Sequence, residues 1–80
     1  MAETSEVDVT IDARGSFCPG PLMELIRAIR EGQVGDRIAI LSSDTGSKRD
    51  IPLWVKKAGH ELVGVFEEKD HSRFVVRKLK

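Results

Sequence analysis

The sequence predicts a two-layer α/β sandwich of the α+β type, with four strands in a mixed sheet and two helices on one face. Three observations predict it. Val7, Val9 and Ile11 alternate with Asp8, Thr10 and Asp12, the period of a strand with one buried face. Two stripes recur at i, i+3, i+4 and i+7, one in Leu22, Leu25, Ile26 and Ile29 and one in Ile51, Trp54, Val55 and Ala58. Residues 61–67 and 73–79 then read as strands joined only by the polar turn Glu68, Lys69, Asp70 and His71. The order is strand, helix, strand, helix, strand, strand. Strands separated by a helix are expected to run parallel through right-handed crossovers, and a hairpin is antiparallel. Two helices suffice to cover one face of such a sheet.

Each element has a local reason. Residues 1–6 are polar and aperiodic, so the chain is expected to fray there before the first strand, residues 7–12. Residues 13–17 contain Gly15 and read as a strand-to-helix loop. The first helix opens at Pro19 and stops near Gly32, a residue suited to a left-handed cap. Residues 37–41 form a short aliphatic run that fits a well-covered strand, followed by a loop over 42–47 with turn residues Asp44, Thr45 and Gly46. The second helix closes at Gly59. Pro52 belongs in its first turn, which makes Asp50 or Ser47 the candidate N-cap.

Eighty residues make one domain, residues 1–80, with one core and no repeat or linker. No apolar run exceeds four residues, too short for a bilayer span or a signal-peptide core, so the expected location is the cytoplasm without membrane insertion. The 13 basic and 13 acidic residues cancel, which argues against binding nucleic acid through bulk phosphate attraction. The two halves differ in sign: residues 1–47 carry a net −4 and residues 48–80 a net +4. Lys48, Arg49, Lys56 and Lys57 are either a local basic patch or ordinary solvated charges on a helix.

One cysteine excludes an intramolecular disulfide, and no zinc-type ligand spacing exists, so neither a metal nor a resident cofactor is expected. Cys18 is followed by Pro19, Gly20 and Pro21. Proline is tolerated in a first helical turn, so this spacing puts Pro19 at N1, Pro21 at N3 and Cys18 at the N-cap. A sulfur there meets the positive end of the helix dipole, which favours the thiolate. Gly20, without a side chain, leaves the approach open. The other reading is an inert thiol packed under Phe17 and Leu22.

The reactions open to a lone thiolate are few. Acyl transfer needs an orienting base, and sequence places neither His60 nor His71 beside Cys18. Thioredoxin-like reduction needs a second cysteine. Taking the outer sulfur of a persulfide and passing it on needs only a nucleophile and access. Around Cys18, Arg14 is either a cation steadying an anionic sulfur or a solvated loop residue, while Asp12 and Gly15 shape the loop. Lys48 and Arg49 start the second helix at the same sheet end and are candidate contacts for an acidic partner. Trp54 and Met23 read as packing residues, His60 as a group interacting with the last helix carbonyls, and His71 as solvated.

The run Asp12-Ala13-Arg14-Gly15-Ser16-Phe17-Cys18-Pro19-Gly20-Pro21 resembles the D-x-x-G-x-x-C-P-x-P signature of the TusA (SirA-like) family of small sulfur carriers. The second half resembles it too, in residues 44–54 and in Gly59-His60-Glu61-Leu62, so that the likeness spans residues 7 to about 77. Gly20 stands at the family's variable position and Thr45 where proline is frequent. The resemblance implies a βαβαββ sandwich and a transient persulfide on Cys18. It also implies a sulfur donor protein (a cysteine desulfurase, a rhodanese or a DsrE-type protein) and a sulfur acceptor protein. The expected activity is that of a monomeric sulfurtransferase-like carrier rather than a classical turnover enzyme. The competing readings are a protein- or RNA-binding module with a dispensable thiol, and a redox sensor in which Cys18 is oxidised.

Overall fold

The computed structural model describes residues 7–17 and 20–80. The elements are β1 (Val9–Asp12), α1 (Gly20–Glu31), β2 (Arg37–Ser42), α2 (Ser47–Ala58), β3 (Glu61–Glu67) and β4 (Ser72–Arg77). They form one four-stranded sheet in the order β1-β2-β4-β3. β1 runs parallel to β2, while β4 is antiparallel to both β2 and β3. β3 therefore points the same way as β2, as the helical connection requires, with β4 between them.

The two helical stripes meet the sheet in one core of Leu25, Ile29, Ile38, Ile40, Ile51, Val55, Phe74 and Val76, joined by Ala13. Trp54 packs against this core from its edge and stacks, tilted, on His60 at 5.8 Å between ring centres. Ala39 and Val75 alternate with the core residues of the central strands and so point to the face that no helix covers. Both are nevertheless buried. Gly64 lies opposite Val75, and the Phe66 ring folds back over it, 2.9 Å from where a Cβ on Gly64 would stand. The Arg73 guanidinium sits above that ring at 5.8 Å. An aromatic side chain and an arginine stem thus partly cover this face in place of a second helical layer.

Several boundaries differ from those read in the sequence. β1 begins at Val9 rather than at Val7, because the Asp8 carboxylate accepts from the Arg37 amide (2.9 Å), a bond outside the strand ladder. α1 ends at Glu31, and the left-handed residue that follows is Gly35 (φ 98°), not Gly32. The Gly32 amide still donates to the Ala28 carbonyl, continuing the helical pattern, and the reversal waits for Gly35. α2 starts earlier than expected, with Gly46 at its N-cap, Ser47 as its first residue and Asp50 inside the first turn. Neither proposed cap holds. The Ser47 hydroxyl is occupied in a buried 3.0 Å hydrogen bond with Ser42, and the N-cap residue, Gly46, makes no side-chain cap bond. Pro52 consequently falls in the second turn, where its ring removes one backbone bond. The close at Gly59 is as read. β4 spans Ser72–Arg77, since Lys78 pairs through its backbone with Gly35 and Asp36 in the preceding loop. Residues 1–6 lie outside the described residues. Among the described residues no helix is long and apolar enough to cross a membrane.

Candidate functional site

The parallel run of β1 and β2 brings their C-terminal ends to one edge of the sheet, and there α1 and α2 both begin. Ser42, Ser72 and Glu67 pair across β2, β4 and β3 at the same edge, so the β3–β4 turn arrives there too. Two connections remote in sequence, β2–α2 and β3–β4, therefore reach the same edge as the loop that leads to Cys18. Cys18 and Pro19 are outside the described residues, and the expected N-cap and N1 roles fall on them. The Gly20 amide donates to the Phe17 carbonyl at 2.7 Å, Gly20 is the first residue of α1, and Pro21 is the buried second. Pro21 lies in the first turn, as the proline spacing suggested, at a position whose amide would have no intrahelical acceptor.

The loop before Cys18 is held at both flanks. The buried Ala13 donates to the Leu41 carbonyl (2.9 Å), which extends the β1–β2 pairing by one residue. Asp12 accepts three bonds from Arg14: from the amide at 3.1 Å, from Nε at 2.9 Å and from Nη2 at 2.8 Å. The two readings of Arg14 are thereby resolved into a third, a guanidinium turned back onto its own loop. The pairing holds the Asp12 carboxyl down at a pKa of about 2, from an ordinary 3.8, and raises that of Arg14. A carboxylate whose folded pKa lies below its unfolded value stabilises the fold above pH 3.8, and that contribution disappears as pH falls toward 2. Asp12→Asn is expected to flatten the acid limb of the stability profile between about pH 4 and pH 2, checked by urea unfolding at stepped pH.

Gly15 has φ 89° and donates its amide to Ser43 Oγ at 3.1 Å, fixing this loop to the one after β2. Among the described residues, chain neighbours aside, no atom lies within 4 Å of a Cβ built there, so the position demands glycine through its backbone. Gly15→Ala is expected to cost about 1 kcal/mol from left-handed strain alone, seen as a lower urea midpoint at unchanged m-value.

Phe17 is 78% exposed. Its ring is one of the two covers, with Leu22, that the inert-thiol reading named, while Cys18 itself lies outside the described residues. Lys48 and Arg49, expected together, diverge: Lys48 reaches across to Glu67 of β3 (3.3 Å), while Arg49 pairs with Asp50 (3.4 Å) on the outer side of α2. Glu67 also accepts from the Ser72 hydroxyl (3.0 Å), and the two bonds lower its pKa. Met23, read as core or rim filler, is exposed on α1 and so lies outside the core.

Both histidines depart from expectation. His71 is not solvated: its side chain is only 14% exposed, with Nδ1 2.7 Å from an Asp70 carboxylate oxygen. His60 does not serve as a cation on the helix carbonyls. Its Nδ1 accepts from the Leu79 amide (3.1 Å), and burial together with Lys78 and Lys80 lowers its pKa, so it is neutral. Between the loop after β2 and the β3–β4 turn lies an open polar cleft of about 280 Å³, edged by Ser43, Lys48, Glu67 and His71. Neither the cleft nor the Ser43 anchor has any local signal in the sequence, since each depends on residues far apart in the chain. No group of described residues is arranged to hold a metal ion.

Comparison with known proteins fixes the family. The model of sulfurtransferase TusA matches residues 9–78. The chain belongs to the TusA family. A protein of Archaeoglobus fulgidus, provisionally named a sulfur carrier protein, is 60% identical over 72 residues, covering 90% of this chain and 99% of its own. The sulfur carrier protein TusA of Pseudomonas entomophila is 38% identical over 71 residues, 89% of either chain. The SirA-like protein of Desulfitobacterium hafniense, whose crystal structure is known, superposes with a TM-score of 0.79 over 91% of this chain and all of that one, at 19% identity. That likeness establishes the TusA-family fold, a four-stranded mixed sheet with two helices.

Proposed function

We propose that the protein is a sulfur carrier in which Cys18 accepts the outer sulfur of a donor protein's persulfide and delivers it to an acceptor protein. The observation that carries this reading is the family match across residues 9–78 together with the single thiol in the chain. The relatives that share the family are named sulfur carriers. The surroundings fit the chemistry. The loop ahead of Cys18 is anchored through Asp12, Arg14 and Gly15, and the exposed Phe17 ring adjoins it in sequence.

The transfer balances without an oxidant. The Cys18 thiolate attacks the outer sulfur of the donor persulfide, a bond forms between these two sulfurs, and the donor's own S–S bond breaks. The donor cysteine leaves as a thiolate, and the proton of the persulfide stays on the transferred sulfur. Delivery is the same step with the roles reversed. Because exchange needs one nucleophile and access, it asks for no second cysteine, metal or resident cofactor.

The donor is a cysteine desulfurase, a rhodanese or a DsrE-type protein, and the cell compartment is the cytoplasm. The test is the intact mass of the reduced protein after incubation with a cysteine desulfurase and cysteine. The expected result is a gain of one sulfur atom that dithiothreitol removes. If the thiol reacts with an alkylating reagent yet stays unloaded by each class of donor, the carrier reading fails.

A further inference from the structure

The outer side of α2 is the least explained surface of the molecule. Leu53 is 54% exposed at its centre, although the helix buries Ile51 and Val55 on the opposite side. Arg49 lies four residues before Leu53, with Lys56 and Lys57 three and four residues after it, so all three neighbour it on the helix surface. All three are exposed. Asp50 supplies the one acid on this side, beside Arg49. Lys48 does not belong to the patch, because it is turned toward Glu67. Lys56 and Lys57 make no ion pair among the described residues. The chain as a whole carries no net charge, so three cations around one exposed leucine are a local concentration.

We propose that this face docks the persulfide-bearing donor protein, through an acidic surface with an apolar socket for Leu53. The inference rests on the carrier reading above and extends it to the donor's chemistry. An apolar anchor inside a charged rim is the arrangement of a protein interface, with the anchor supplying desolvation energy and the rim the encounter rate. A nucleic acid would use aromatic rings for stacking, but Trp54, the only ring on α2, packs against the core. A bilayer would need a continuous apolar face, and Leu53 stands alone among cations. The placement suits transfer as well. α2 starts at the sheet edge where α1 starts and runs away from it, so a donor that spans the helix from Lys56 and Lys57 in its last turn to Arg49 in its first reaches the end of the molecule that bears the Cys18 loop.

The test separates docking from thiol chemistry by loading Cys18 in two ways. A cysteine desulfurase with cysteine requires docking; sodium tetrasulfide, a small inorganic donor, does not. Leu53→Ser and the double variant Lys56→Glu/Lys57→Glu are expected to slow desulfurase loading by about tenfold or more at low salt, with tetrasulfide loading unchanged. The same charge reversal on α1, Arg27→Glu/Arg30→Glu, is expected to slow it less. Raising the salt concentration should slow the wild type and leave the lysine variant almost unaffected. Desulfurase loading that is equal in wild type and both α2 variants overturns the proposal, as does an equal loss in the α1 variant. Equilibrium binding of Cys18→Ser to the desulfurase keeps the two readings apart. If no donor loads Cys18 but that binding is weakened by Leu53→Ser, the carrier reading fails and the docking face stands. If transfer RNA or anionic vesicles bind this face more tightly than the desulfurase does, the occupant is wrong.

Discussion

Cys18→Ser is expected to abolish sulfur loading completely, with every donor. The chain holds one cysteine, so no other group can replace it. The two methionine sulfurs are thioethers, which carry no thiolate and form no persulfide, and a serine hydroxyl is not ionised at neutral pH. Partial activity would require another nucleophile, and His60 and His71 are each engaged through Nδ1, with the Leu79 amide and with Asp70. The measurement is the intact mass of wild type and variant after identical exposure to donor, followed by dithiothreitol. A removable sulfur on the variant would show that the transferred atom resides elsewhere. Wild-type loading should also accelerate as pH rises through the thiol pKa, because the attacking species is the thiolate.

The second large effect is structural. Phe74 is fully buried in β4, one of the two strands flanked on both sides, and pairs with Ile40 of β2 and Val65 of β3. It belongs to the one core in which both helices meet the sheet. Phe74→Ala removes a ring whose space the neighbouring side chains cannot refill, at a cost of about 3–5 kcal/mol. A domain of this length has a total stability of roughly 4–12 kcal/mol at ordinary values per residue. The variant is therefore expected to be largely unfolded at 37 °C or to melt tens of degrees lower, as read by circular dichroism and urea titration. A loss below about 1 kcal/mol would mean that the ring is not part of a close-packed core. The same truncation at Phe66, which is 37% exposed on the open face, should cost markedly less.

Element types were legible because each is written in neighbouring residues. Alternation set β1, the two apolar stripes set α1 and α2, and the polar break at residues 68–71 set the β3–β4 hairpin. Ile51, Val55, Leu25 and Ile29 were correctly assigned to buried stripes on the same grounds. The motif around Cys18 was equally local, and it carried the family with it. Helix starts were read less well. Proline and hydroxyl positions suggest a cap, but Ser47 spends its hydroxyl on Ser42, and that partner was not predictable from helix periodicity.

Only the folded chain decided where β4 goes, since its pairing with β2 joins residues 30 or more apart that no local pattern links, whereas its pairing with β3 is the local hairpin. The same holds for the Ser43 anchor on Gly15, the Lys48–Glu67 bridge and the burial of His71. Each joins segments that chain reversal brings to one edge of the sheet, and a side chain's partner there depends on the register of strands it does not belong to. Periodicity reports which face of an element is apolar; it carries no information about which element will meet that face.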